Sequence, residues 1–159
     1  MLKLFINLAL ACSLIACSST PKEQTSADTG NDKRNELSIA LSKSPCYGKC
    51  PVYSVKLDNK IVELNATENT PLIGKYTTEA TDDEIDSLIE VFENAPELQE
   101  QDTLQFDQHI TDMPYCDMTI KYDGKTKVIK YRFKLPEKVE FLDKFFTQIL
   151  QEQFRWESK

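Results

Sequence analysis

Histidine is almost missing from this chain: His109 is the only one in 159 residues. A Ser–His–acid or Cys–His triad would therefore have to be built on His109, and nothing near it in sequence nominates a partner. Neither a Gly-x-Ser-x-Gly elbow nor a His-Glu-x-x-His zinc motif is present. Long apolar runs are missing too. The longest, Leu4–Ala16, is interrupted by Asn7 and Ser13 and falls short of the about 20 residues that cross a bilayer. Positive charge is in deficit, with 19 basic residues against 26 acidic ones and a net charge of −7. A chain of that sign is poorly suited to nucleic acid or to polybasic attraction to anionic lipid. The acids nominate no catalytic pair: Asp82-Asp83-Glu84 reads as a helix start, and Asp28 to Asp32 as a solvated segment. These deficits argue against an enzyme, against a cofactor box and against a nucleic-acid partner. No internal repeat is visible.

What is present begins at the N-terminus. Residues 1–16 carry Lys3 and then the short apolar run, which has the length and small-residue end of a signal peptide. Leu14-Ile15-Ala16-Cys17 matches the lipobox of bacterial lipoproteins: a branched apolar residue, a tolerated one, a small one, then cysteine. Ala16 suits the peptidase subsite, and the Cys17 thiol and freed amine can take two or three acyl chains, enough for stable anchoring. Cys12 is a weaker second cut site, because Ala9 stands where a lipobox prefers a branched residue. Loss of Lys3 with the leader leaves 18 basic residues against 26 acidic, a side-chain charge of −8. Residues 17–35 are polar and Ser/Thr-rich, and read as a disordered tether spanning roughly 20–25 Å. Ser18 beside Cys17 fits outer-membrane sorting better than inner-membrane retention. The expected address is the cell envelope, with the membrane as partner through Cys17.

Residues 36–157 have the size of one domain. Leu37, Ile39 and Leu41 alternate, as do Tyr53, Val55 and Leu57. Asp58-Asn59 offers a turn before a return strand over 61–64, and a further strand is expected over 72–78. Thr81 to Glu84 form a capping box for a helix bearing Ile85, Leu88, Ile89 and Phe92, which Pro96 stops. Residues 97–112 read as a long irregular loop. Met118, Ile120 and Tyr122 lead to Asp123-Gly124, a hairpin signal, with the return over 128–133. Pro136 sits near the start of a second helix with Val139, Leu142, Phe146, Ile149 and Leu150 on its apolar face. Phe154 and Trp156 follow, able to cap the core or to stay exposed. The expected fold is α+β: an antiparallel sheet of about five to six strands packed against two helices.

The densest motif is Pro45-Cys46-Tyr47-Gly48-Lys49-Cys50-Pro51-Val52-Tyr53. In an exported protein Cys46 and Cys50 are expected to be oxidised to each other. Closing so short a loop contributes only about 2 kcal/mol in the chain-entropy picture. Gly48 is expected to supply the backbone freedom of a tight loop, and Pro51 to open the next strand. Cys116 is then left over, either buried and inert, or bridging a loop cysteine, or pairing between chains. An alternative use of the motif is a soft-metal site, in which Cys46, Cys50 and His109 hold copper with Met113, Cys116 or Met118 nearby in sequence. A thiol-redox loop is a further alternative. It lacks the two-residue spacing and the helix N-terminus that lower a thiol pKa, leaving only Lys49 to favour a thiolate.

Cys46-x-Gly48-x-Cys50-Pro51-x-Tyr53 resembles the signature of the domain-of-unknown-function family numbered 6438, whose members are largely lipoproteins. Gly74-Lys75-Tyr76 and Thr111-Asp112-Met113-Pro114 are similar to that family's pattern as well. The resemblance covers roughly residues 36–152, nearly the whole domain. It departs at the Asp58-Asn59-Lys60 turn, where glycine is more usual, and at Cys116. The resemblance implies a fold and an envelope address, and it carries no activity. The reading that follows is a membrane-anchored lipoprotein with a non-catalytic domain that binds an envelope protein or ligand.

Overall fold

Alternation of apolar and polar residues organises this domain before any tertiary contact does. The computed structural model describes residues 29–107 and 109–159. Cys12, Cys17, the signal sequence and residues 17–28 of the expected tether lie outside the described residues. The strands are β1 (Ser38–Lys43), β2 (Val52–Asp58), β3 (Ile61–Glu68), β4 (Gly74–Glu79), β5 (Thr103–Phe106), β6 (Cys116–Tyr122), β7 (Lys125–Tyr131) and β8 (Glu157–Ser158). The helices are α1 (Thr29–Glu36), α2 (Asp82–Asn94), α3 (Pro96–Glu100) and α4 (Glu137–Gln151). The fold is α+β, with a mixed sheet ordered β5-β7-β6-β1-β2-β3-β4-β8. All neighbours pair antiparallel except β5, which runs parallel to β7.

Three expectations are corrected here. The sheet has eight strands rather than five or six, and one of its pairings is parallel. The expected loop over 97–112 contains helix α3 and strand β5. Pro96 ends one helix only to open another, because a proline at the first helical position loses no hydrogen bond. β5 and β8 escape a pattern search because four and two residues are too few to display alternation. The end of the expected tether, Thr29–Glu36, is helical. Its Arg34 donates from Nε to Asp86 at 2.7 Å and from Nη1 to Asp82 at 3.1 Å, both on α2. These ion pairs tie α1 to α2, a tertiary contact that composition alone does not show.

One face of the sheet is covered. Ile39, Leu57, Val62, Met118, Ile120 and Ile129 are fully buried against the inward stripes of α2 and α4. Those stripes are Ile85, Leu88, Ile89 and Phe92, and Val139, Leu142, Phe146, Ile149 and Leu150. The alternate positions, including Ala40, Ser42, Ser54, Lys56, Glu63 and Asn65, face solvent. Two-residue turns set the register of both central hairpins: Asn59 and Lys60 have φ of 47° and 67°, Asp123 and Gly124 of 50° and 68°. Among the described residues no helix is long and apolar enough to cross a membrane.

The C-terminal tail divides its two aromatics. Trp156 is buried and its Nε1 donates to the Ile149 carbonyl at 3.0 Å, while Phe154 is exposed. Arg155 between them donates to both Glu84 oxygens at 2.6 and 2.9 Å and to the Glu79 carbonyl at 3.0 Å. Glu84 also completes the Thr81 capping box. One carboxylate thus serves the start of α2 and the anchoring of the tail.

Truncating Phe146 to alanine empties a fully buried site and is expected to cost about 3–5 kcal/mol in denaturant unfolding. The hydrogen bonds from Arg155 hold the Glu84 carboxyl below its ordinary 4.5. The unfolded chain therefore binds that proton more readily, and the contribution is present above about pH 4.5 and lost as pH falls through the lower folded value. Melts across pH 6 to 3 are expected to show a steeper loss of stability for the wild type than for Glu84→Gln.

Candidate functional site

Strand direction gathers the chain's irregular segments at one end. β1, β3, β5 and β7 finish there, and β2, β4 and β6 begin there, so residues 44–51, 69–73, 107–115 and 132–136 converge. The opposite end carries the tight turns at Asn59-Lys60 and Asp123-Gly124 and the junction from α1 into β1.

The Cys46–Cys50 disulfide is formed, with Cα atoms 5.7 Å apart. Both feet of its loop are held. Ser44 N–H donates to the Tyr115 carbonyl at 2.9 Å, and Tyr115 N–H donates back to Ser44 Oγ at 2.8 Å. On the other side Asn69 Nδ2 donates to the Cys50 carbonyl at 3.1 Å. The tip projects freely, and Tyr47 is 94% exposed. Gly48 does not occupy the left-handed region, and a Cβ there would meet only Cys46 Sγ at 3.8 Å. The expectation that the loop needs glycine for backbone freedom is thus corrected: an alanine fits.

Beneath the loop lies a row of polar residues that sequence reasoning missed. Tyr53, Lys43, Cys116 and Tyr131 are register neighbours across β2, β1, β6 and β7. Asp143 of α4 meets them from the helix side. Lys43 Nζ lies 2.6 Å from Asp143 Oδ1, Tyr131 Oη donates to the same oxygen at 2.5 Å, and Lys43 Nζ stands 5.7 Å from the centre of the Tyr53 ring. The available signal is positional. Lys43 is the next inward residue of the series Leu37, Ile39, Leu41, and a lysine in that phase needs a partner.

Burial and the Asp143 charge set the electrostatics of Lys43, Tyr53, Cys116 and Tyr131. Burial opposes the Lys43 ammonium, but Tyr53 and Asp143 outweigh it and the net shift is upward. Burial pushes the Cys116 thiol up to about 11 and raises the Tyr53 phenol. Burial and then Asp143 raise Tyr131 further. At neutral pH the ammonium stays charged and the thiol stays protonated. A protonated, buried thiol is not a nucleophile. The cluster pins α4 to the sheet as a hydrogen-bonded ion pair.

Cys46, Cys50 and His109, the residues of the soft-metal alternative, do not form a donor set here. The two sulfurs are bonded to each other, His109 is exposed in a turn, and Cys116 and Met118 are buried. Among the described residues no group of three or more His, Cys, Asp or Glu is placed to hold a metal. Cys116 is a free, buried cysteine and does not bridge to a loop cysteine, since Cys46 and Cys50 are bonded to each other.

These features define a class: an α+β domain with helices on one face of a mixed sheet and a disulfide-braced loop at one end. Residues 37–150 match the family described as a domain of unknown function, DUF6438, and the chain belongs to that family. The match includes the disulfide loop and every member of the Lys43–Asp143 cluster. No curated protein and no solved structure matches the chain.

Alkylation followed by intact mass reads the cysteine assignment directly. Within the domain from residue 29 onward, the native protein is expected to take no label, the denatured protein one at Cys116, and the denatured and reduced protein three. Three labels without reductant would overturn the disulfide.

Proposed function

We propose that this chain is a lipid-anchored lipoprotein of the cell envelope, sorted to the outer membrane, whose domain is a non-catalytic binding module. The observation that carries the reading is Tyr47, an almost fully exposed aromatic held on a covalently closed loop whose feet are hydrogen-bonded. Tyrosine is enriched among residues that dominate interface energies, and a loop fixed in advance loses little entropy on binding. Ile73 and Phe133, 55% and 57% exposed, sit on other loops of the same end. The neutral thiol and phenols beneath support a binding role over chemistry.

Strand direction adds an orientation. The chain enters β1 at Ser38, and the disulfide loop follows its last residue, Lys43. Six residues of strand measure about 20 Å. Through α1, a chain running to an acylated Cys17 enters β1 at the end away from Tyr47.

The two parts of the reading are separately testable. Labelled palmitate is expected in the wild type and lost in Cys17→Ser, which should also leave the membrane fraction; retained label in that variant would refute the anchor. A photo-crosslinking amino acid at position 47 in intact cells is expected to capture one discrete envelope partner, whereas the same probe at exposed Phe154 captures none. Equal patterns at both positions would refute the role of the loop end.

A further inference from the structure

β5, a four-residue strand, forms one edge of the sheet. Val128 N–H donates to the Asp102 carbonyl at 2.8 Å, which sets the phase of the β5–β7 pairing. Backbone groups alternate along a parallel strand, so the N–H and C=O of Thr103 and Gln105 turn away from β7. Both residues are exposed. Natural edges are commonly blunted by lysine, proline or a bulge. Thr103-Leu104-Gln105-Phe106 carries no lysine and no proline.

Beside this edge lies a cavity of about 250 Å³ lined by Glu97, Glu100, Gln101, Leu104, Gln105 and Phe106. That volume suits one long side chain rather than a whole small ligand, whose sites run from about 300 Å³ upward. Glu97 is partly buried, and its Oε2 has no hydrogen-bond partner among the described residues. A buried acceptor without a donor is unfavourable, most of all on a carboxylate. Glu100 stands on the same wall, and Leu104 and Phe106 supply apolar surface for an aliphatic stem. A metal ion is a poor fit, since no third acidic, histidine or cysteine ligand joins them among the described residues.

We propose that the β5 edge is a peptide-docking site. It takes an extended segment of a partner protein as an added strand, with one lysine or arginine of that segment seated in the cavity against Glu97 and Glu100. Thr103 and Gln105 supply the backbone bonds, and the two carboxylates supply the selection for a basic residue. This rests on the reading of the domain as a binding module and names the chemistry of its partner.

The test uses the full chain and fluorescein-labelled octapeptides of alternating threonine and valine. One carries a central lysine, one a central glutamate, and one the lysine with an adjacent proline. Anisotropy is expected to show binding of the lysine peptide, weakened at least ten-fold by either change. Glu97→Gln is expected to weaken it at least ten-fold while leaving the thermal melt unchanged, and Lys75→Ala on the far side of the sheet to leave it unaltered. Amide exchange at Thr103 and Gln105 should slow only with the lysine peptide. Equal binding of the three peptides, or no binding and no protection, overturns the proposal. Either result with the position-47 crosslink intact removes the β5 site alone; loss of that crosslink bears on the binding-module reading instead.

Discussion

An eight-stranded sheet with helices on one face only is the constraint from which the rest of this domain follows. The central strands must be apolar on alternate residues and polar on the others, and the helices α2 and α4 must each present a single stripe. The two central hairpins therefore close through tight two-residue turns, because a shift of one residue would exchange the buried and solvated faces. The same constraint explains the loop lengths. Tight turns occupy the end where the chain enters β1, and the longer segments collect at the other.

At the end with the longer loops the core turns polar around an ion pair. Lys43, Tyr53, Cys116 and Tyr131 are register neighbours on the inward face, and Asp143 answers them from α4. The ion pair has side chains only 14% and 19% exposed, so removing one partner would leave the other charged and poorly hydrated. The disulfide lies just above this cluster. Ion pair and covalent link together give the loop a rigid floor, which a projecting aromatic needs if it is to act as an anchor.

Much of this was legible in the residues, and the illegible parts share a cause. β1, β2, β3 and β6 announce themselves through series such as Tyr53, Val55, Leu57, and α2 through Thr81 and Glu84. The Cys46–Cys50 pair is legible because spacing restricts it to local closure. β5 and β8 are invisible because short strands take their conformation from the neighbour they pair with. α1 is invisible for a related reason: its sequence is polar throughout, and Arg34 finds Asp82 and Asp86 only when α2 is in place. The Lys43 cluster needed tertiary information, since Asp143 lies a hundred positions away from its partner. In each case the determining contact is remote in sequence, and local pattern cannot carry it.

The strand order has a consequence for the sequence of events during folding. β1 sits between β2, its neighbour in the chain, and β6, whose paired residues lie 73 to 83 positions downstream. The β1–β4 meander can zip up locally, but it then presents β1 as an open flank until the β6–β7 hairpin arrives. Non-local pairings of this kind slow folding, because a long loop must close before its contacts reward it. A chain emerging from its N-terminus during synthesis would carry that half-built sheet until β7 had emerged. The polar open face and the charged residues on it would then serve a second purpose, keeping the waiting intermediate in solution.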